Sequence, residues 1–139
     1  MSNSTFVIEP IGEIRSTLLE RKNAPRQSFK GAPEATLVID PRFSEGVADL
    51  KVGDEIFVLT WLHLARRETM RVRPGNDPNT PLTGVFATRS PDRPNPVGLH
   101  WTKILEIDGL ELRVAGLEAV DGTPIVDIKP VLEEETRLR

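Results

Sequence analysis

Short apolar runs with a period of two, each stopped by proline or glycine, constrain this chain more than any other feature. Side chains on a strand alternate between faces, so such runs read as half-buried strands. "TFVIEPIGEIRS" carries Phe6, Ile8 and Ile11 in a run broken by Pro10 and Gly12. "ATLVIDP" starts at Ala35 and stops at Pro41. "DEIFVLTWLHLA", from Asp54, is the longest candidate. Ile56, Val58 and Thr60 share one of its faces; Phe57, Leu59 and Trp61 share the other. It is nearly continuous, so both faces are expected to be covered. "TGVFATRS", "WTKILEIDG", "LELRVAG" and "TPIVDIKP" complete the set. Asp108-Gly109 predicts a hairpin between two of these runs, and Asp121-Gly122 predicts a second turn. With 12 prolines and 10 glycines, long helices are not expected. One short turn after Pro41, capped by Ser44, is the helical candidate. The residues therefore predict an all-β fold, a barrel or a sandwich.

A chain of 139 residues is one domain by size and can bury a modest core. It has no cysteine, which excludes disulfides, thiolate metal sites and cysteine nucleophiles and fits an intracellular setting. No apolar run approaches the roughly 18 residues of a membrane span. "MSNSTFVIEP" lacks the basic-then-apolar pattern of a signal peptide. The polar stretch from Arg71 to Thr83 is the longest loop candidate, and the last seven residues are expected to fray.

A net charge of −3 argues against a surface that coats nucleic acid broadly. A local patch is another matter. Arg66, Arg67, Arg71, Arg73, Arg89 and Arg93 fall in one part of the chain, and acid gathers at Glu133–Glu135. That asymmetry points to an anionic ligand near the middle, or to a solvated arginine face. Within it, "TRSPDRPNPVG" (Thr88 to Gly98) holds three prolines and two arginines. Prolines stiffen the loop, a guanidinium fork suits carboxylate or phosphate and stacks on flat rings, and Asn95 offers a donor and an acceptor. The loop suits a small, flat, partly anionic ligand; the alternative is a tight connection whose arginines meet acidic neighbours.

No metal-binding cluster, phosphate loop or dinucleotide fingerprint is present, and the only histidines are His63 and His100. Three further stretches are polar where a plain connection need not be: Pro25-Arg26-Gln27, His63-Leu64, and "DGTPIVDIKP" from Asp121 to Pro130. Each has a structural alternative. Asp121-Gly122-Thr123-Pro124 makes a good turn, Asp127 and Lys129 suit a surface pair, and His63 suits a half-buried position.

Together, "IGEIRS…PRQ", His63-Leu64, "GVFATRSPDRPNPVGL" and "LEAVDGTPIVDIKP" resemble the TrmO family (TsaA-like, YaeB-like) from about Phe6 to Pro130. The resemblance implies a compact single-sheet β-barrel of short strands with long polar loops, acting as a cytoplasmic homodimer without metal or membrane. It implies an S-adenosylmethionine-dependent methyltransferase acting on N6 of threonylcarbamoyladenosine beside the anticodon of tRNA. The cofactor contacts it implies are Pro25, Arg26, Gln27, His63, Leu64, Arg89, Leu99, Asp121, Gly122, Thr123 and Pro124. Arg93, Asn95, Asp127 and Lys129 are implied as further pocket residues. In this picture Arg26 or Arg89 meets the cofactor carboxylate, Asp121 its ammonium or a ribose hydroxyl, and the backbones of Leu64 and Leu99 the adenine edge. His63 is the candidate base. The chain departs from the family at Ala65 and Asp92, where aromatics are usual, and at Val131, where tyrosine is usual. It is expected to lack a C-terminal domain, residues 131–139 forming a tail. Two other readings stay open: methylation of a small molecule, and a non-catalytic S-adenosylmethionine-binding module.

Overall fold

Most of the alternating runs form strands, but the first does so only over Gly12–Arg15, with Phe6 and Ile8 exposed ahead of it. The computed structural model describes residues 3–20 and 31–136. Its strands are β1 (Gly12–Arg15), β2 (Ala35–Ile39), β3 (Glu55–Trp61), β4 (Arg71–Val72), β5 (Thr83–Gly84), β6 (Val97–Asp108), β7 (Glu111–Val114) and β8 (Pro124–Pro130). β3 buries Ile56, Val58 and Thr60 and leaves Phe57, Leu59 and Trp61 half-buried on its other face. That second face is covered by neighbours: Trp101 packs edge-on against Phe57 at 5.1 Å and donates its indole N–H to Glu55 at 3.0 Å.

The fold is mostly β, as the alternation implies. Six strands form one antiparallel sheet in the order β1-β2-β7-β6-β3-β8, and β1 pairs with β8 as well as β2, so the order closes on itself. β6 serves two neighbours. Val97–Lys103 pairs with β3, and a register shift between Ile104 and Glu106 carries its second half onto β7. The expected hairpin turn joins β6 to β7, with Gly109 at φ 61°. Inside the ring, Ile14, Leu37, Ile39, Ile56, Val58, Ile104, Leu112 and Ile125 form the core.

The turn after Pro41 is present as a 3-10 turn (Pro41–Phe43) running into α1 (Ser44–Val47). Its cap differs from the expectation. Asp40, not Ser44, accepts the Arg42 amide, and that bond holds the Asp40 carboxyl below its ordinary range. "TGVFATRS" is a strand only over β5; Val85–Ala87 is a 3-10 turn. There the Val85 carbonyl accepts the Thr88 amide and hydroxyl, closing the turn, and the Arg93 side chain as well. The C-terminal tail is not wholly frayed: Glu133–Thr136 forms α2, with Glu135 accepting the Leu132 amide.

Antiparallel pairing fixes where the connections emerge. β6 and β8 run opposite to β3, so the segments entering them lie where β3 exits. β1 runs opposite to β8 and exits at the same end.

Candidate functional site

Three of the four polar stretches therefore meet at one end of the ring. The backbone ties them together. The Leu62 amide donates to the Pro96 carbonyl at 2.8 Å, joining the exit of β3 to the proline loop. The Ala65 amide closes a turn on Leu62 that leaves His63 and Leu64 exposed. The Asp121–Pro124 turn is zipped to the exit of β1: Asp121 N–H donates to Leu18, Gly122 N–H to Ile14, and Ile14 N–H to Thr123. Pro25, Arg26 and Gln27 lie outside the described residues.

Within that turn the side chains hold the backbone. Asp121 Oδ1 accepts the Ser16 amide at 2.9 Å, and the buried Thr123 hydroxyl donates to Val120 at 2.7 Å. Gly122 sits at φ 84°, where a side chain would be strained. Asp127, Leu59 and Leu99 lie in one row across β8, β3 and β6, with Leu99 exposed. Lys129 and Asp127 form the expected surface pair at 3.3 Å.

The arginines fall into two groups. Arg15, Arg42 and Arg113 pair with carboxylates, which raises the guanidinium pKa of Arg42 (beside Asp40) and of Arg113 (beside Glu34). The arginines of the middle do not, among the described residues. Arg67 donates to the Pro94 carbonyl at 2.7 Å and to Asn95 Oδ1 at 3.1 Å, and stacks on the Trp61 ring at 5.1 Å. Arg93 donates to the carbonyls of Val85 and Thr88. Arg71 holds the Leu82 carbonyl and Arg73 the Thr80 carbonyl. Prolines leave a loop short of N–H donors, and guanidinium forks replace them. These acceptors are neutral, so the cluster keeps its positive charge. Asn95 and Arg93, expected in a ligand pocket, are thus partly engaged in bracing the loop. Asp92 takes part too, accepting the Arg66 amide at 2.8 Å. Arg89 is exposed and its guanidinium makes no hydrogen bond or ion pair among the described residues.

Sequence reasoning did not link two buried residues behind this end, Thr60 and His100, with the partly buried Glu118. His100 bonds Thr60 Oγ1 through Nε2 and Glu118 Oε1 through Nδ1, each at 2.7 Å. The signal available was the alternation of β6, which turns His100 inward with Gly98 and Thr102. A shallow groove beside β1, β2 and β7 is lined by Arg15, paired with Glu111, and by Arg113 and Glu34, paired with each other, and by none of the expected cofactor residues.

Comparison with known proteins comes out in one direction. The family model described as the tRNA-methyltransferase O N-terminal domain matches residues 13–135. A probable S-adenosyl-L-methionine-binding protein of Methanothermobacter thermautotrophicus is 44% identical over 96% of each chain. The tRNA (adenine(37)-N6)-methyltransferase of Escherichia coli is 38% identical over 93% of this chain and 59% of its own length. A crystal structure of TrmO from P. aeruginosa superposes with a TM-score of 0.75 at 31% identity, over 96% of this chain and 57% of that one. The chain thus spans little more than half of these last two proteins.

Proposed function

The chain belongs to the TrmO family, whose cofactor is S-adenosylmethionine, and from that premise we propose that it methylates N6 of threonylcarbamoyladenosine beside the anticodon of tRNA. One observation carries the reading. The end of the ring that gathers the motif residues also gathers arginines that form no ion pair with a carboxylate among the described residues. An anionic cofactor group and an RNA backbone both call for that arrangement.

The donor set fits the cofactor. Arg89 offers an unengaged guanidinium for a carboxylate, with Arg26 as its counterpart. Asp121 has Oδ2 beyond the oxygen that holds Ser16, for an ammonium or a ribose hydroxyl. Leu64 and Leu99 are exposed apolar side chains suited to a ring, with backbone groups for its edge. Gly122, Thr123 and Pro124 offer a further wall, with Asp127 and Lys129 on the strand that follows; Pro25 and Gln27 are the remaining proposed contacts. Bound there, S-adenosylmethionine supplies an electrophilic methyl group. The chain's own part is positioning: a loop braced by arginine forks before any ligand arrives holds its contacts in place with little entropy left to lose. The exposed His63 imidazole is the candidate to take the departing proton, or to hand it to water. Arg66, whose guanidinium has no partner among the described residues, extends the patch toward an RNA backbone.

The experiment offers the purified chain and labelled cofactor to tRNA that carries threonylcarbamoyladenosine. Label is expected on N6, with none on tRNA lacking the threonylcarbamoyl group, and tRNA binding is expected to weaken steeply with salt. Cofactor binding without label on tRNA would sink this acceptor and favour a small molecule. A second reading has its own support: the relatives matched over most of their length are named as S-adenosyl-L-methionine-binding proteins. A binding module predicts affinity and no turnover on any acceptor. A homodimer belongs to the proposed reading as well, supported by the exposed Met70, Leu82 and Phe86 on and beside the β4–β5 ribbon. Sedimentation should give twice the chain mass; a monomer at every concentration would remove it.

A further inference from the structure

Thr60, His100 and Glu118 form a hydrogen-bonded line through the interior. Thr60 is fully buried, His100 is 3% exposed, and the Glu118 side chain keeps 11% of its exposure. With Glu118 ionised, its carboxylate only accepts, so Nδ1 carries the proton in that bond; in the neutral ring, Nε2 accepts the Thr60 hydroxyl. Glu118 Oε2 is buried without a hydrogen-bond partner. Stability alone does not ask for this arrangement, since burying polar groups has a desolvation cost and valine would fill position 60 as well. The surroundings are nevertheless shaped for it. A Cβ on Gly98 would overlap Thr60 Oγ1 and lie 2.7 Å from His100 Nε2, so glycine leaves the room that the Thr60–His100 bond occupies.

Each member sits next to a different wall of the proposed site. Thr60 lies three residues before His63, His100 directly follows Leu99, and Glu118 lies three residues before Asp121. The partners are 40 and 18 residues from His100 in sequence; β3 and β6 are already paired there, and the line ties to them the Glu118 segment, which belongs to no strand. Bonds at both imidazole nitrogens fix the ring, and the ring fixes the segments. We propose that Thr60, His100 and Glu118 are positioning residues that lock the exit of β3, the entry of β6 and the approach to β8 into one arrangement competent to bind S-adenosylmethionine. The inference rests on the site residues assigned under the proposed function.

The test compares S-adenosylmethionine affinity by calorimetry with melting temperature. Thr60→Val keeps the shape and removes the hydroxyl; it is expected to weaken binding about tenfold. Thr60→Ser should restore the parent affinity. Ile56→Val, on the same strand and outside the line, should lower the melting temperature and leave affinity unchanged. With only two histidines in the chain, nitrogen NMR can assign the His100 ring, which should show a slowly exchanging Nδ1–H. Parent-like affinity in Thr60→Val would overturn the proposal. So would an affinity loss in Ile56→Val that tracks its melting temperature. A ring protonated at Nε2 alone would overturn the bonding on which it stands. A parent that binds no S-adenosylmethionine would overturn the site assignment beneath it, a result distinct from the others.

Discussion

Arg89→Ala is expected to bind S-adenosylmethionine about 10- to 100-fold more weakly than the parent, because one charge-assisted hydrogen bond is worth about 1.5–3 kcal/mol. The expectation comes from contrast. Arg67, Arg71, Arg73 and Arg93 each hold loop carbonyls, so replacing any of them disturbs the loop and confounds a binding measurement. Arg89 holds nothing among the described residues, so its loss should leave the melting temperature at the parent value. Arg89→Lys should recover part of the affinity, since it keeps the charge and loses the fork. Calorimetry reads the result, and an Arg89→Ala protein that binds like the parent would remove Arg89 from the site.

The largest stability effect is expected at Gly12. This residue pairs with Ile39 on β2 and with Ile125 on β8, at the seam where the ring closes. A Cβ there would overlap the Val38 carbonyl oxygen and come within 3.0 Å of Ile39 Cα. Both are backbone atoms and cannot rotate away as a side chain could. Gly12→Ala must therefore push β1 off β2 and is expected to lose about 3 kcal/mol. Differential scanning calorimetry should show melting roughly 10 °C lower. Gly46→Ala makes the control, because open space surrounds that position. If the two variants melt alike, the seam at Gly12 is not the tight junction described.

The local conformation of two candidate-site segments was readable from the sequence. The Asp121-Gly122 turn follows from local chemistry, and Gly122 does adopt positive φ. The stiff, arginine-rich loop follows from its prolines. The arginines' division of labour was not readable. Arg67 lies 27 residues from Pro94, and nothing local says that its fork meets a carbonyl rather than a phosphate. The same applies at "TGVFATRS", where Val85–Ala87 forms a 3-10 turn that alternation alone would continue as a strand.

What the sequence determined by itself is whatever depends on neighbours along the chain: the inward row of β3, the Asp108-Gly109 hairpin, and the residue types available to a ligand. A period of two says which face a side chain takes, and a positive-φ glycine says where the chain turns. Sheet order was decided only in three dimensions. That order brings the polar connections to one end and lets Thr60, His100 and Glu118 join through the core, while Arg89 has no partner among the described residues. The physical reason is that these contacts pair residues tens of positions apart, and no local preference specifies which strand lies beside which.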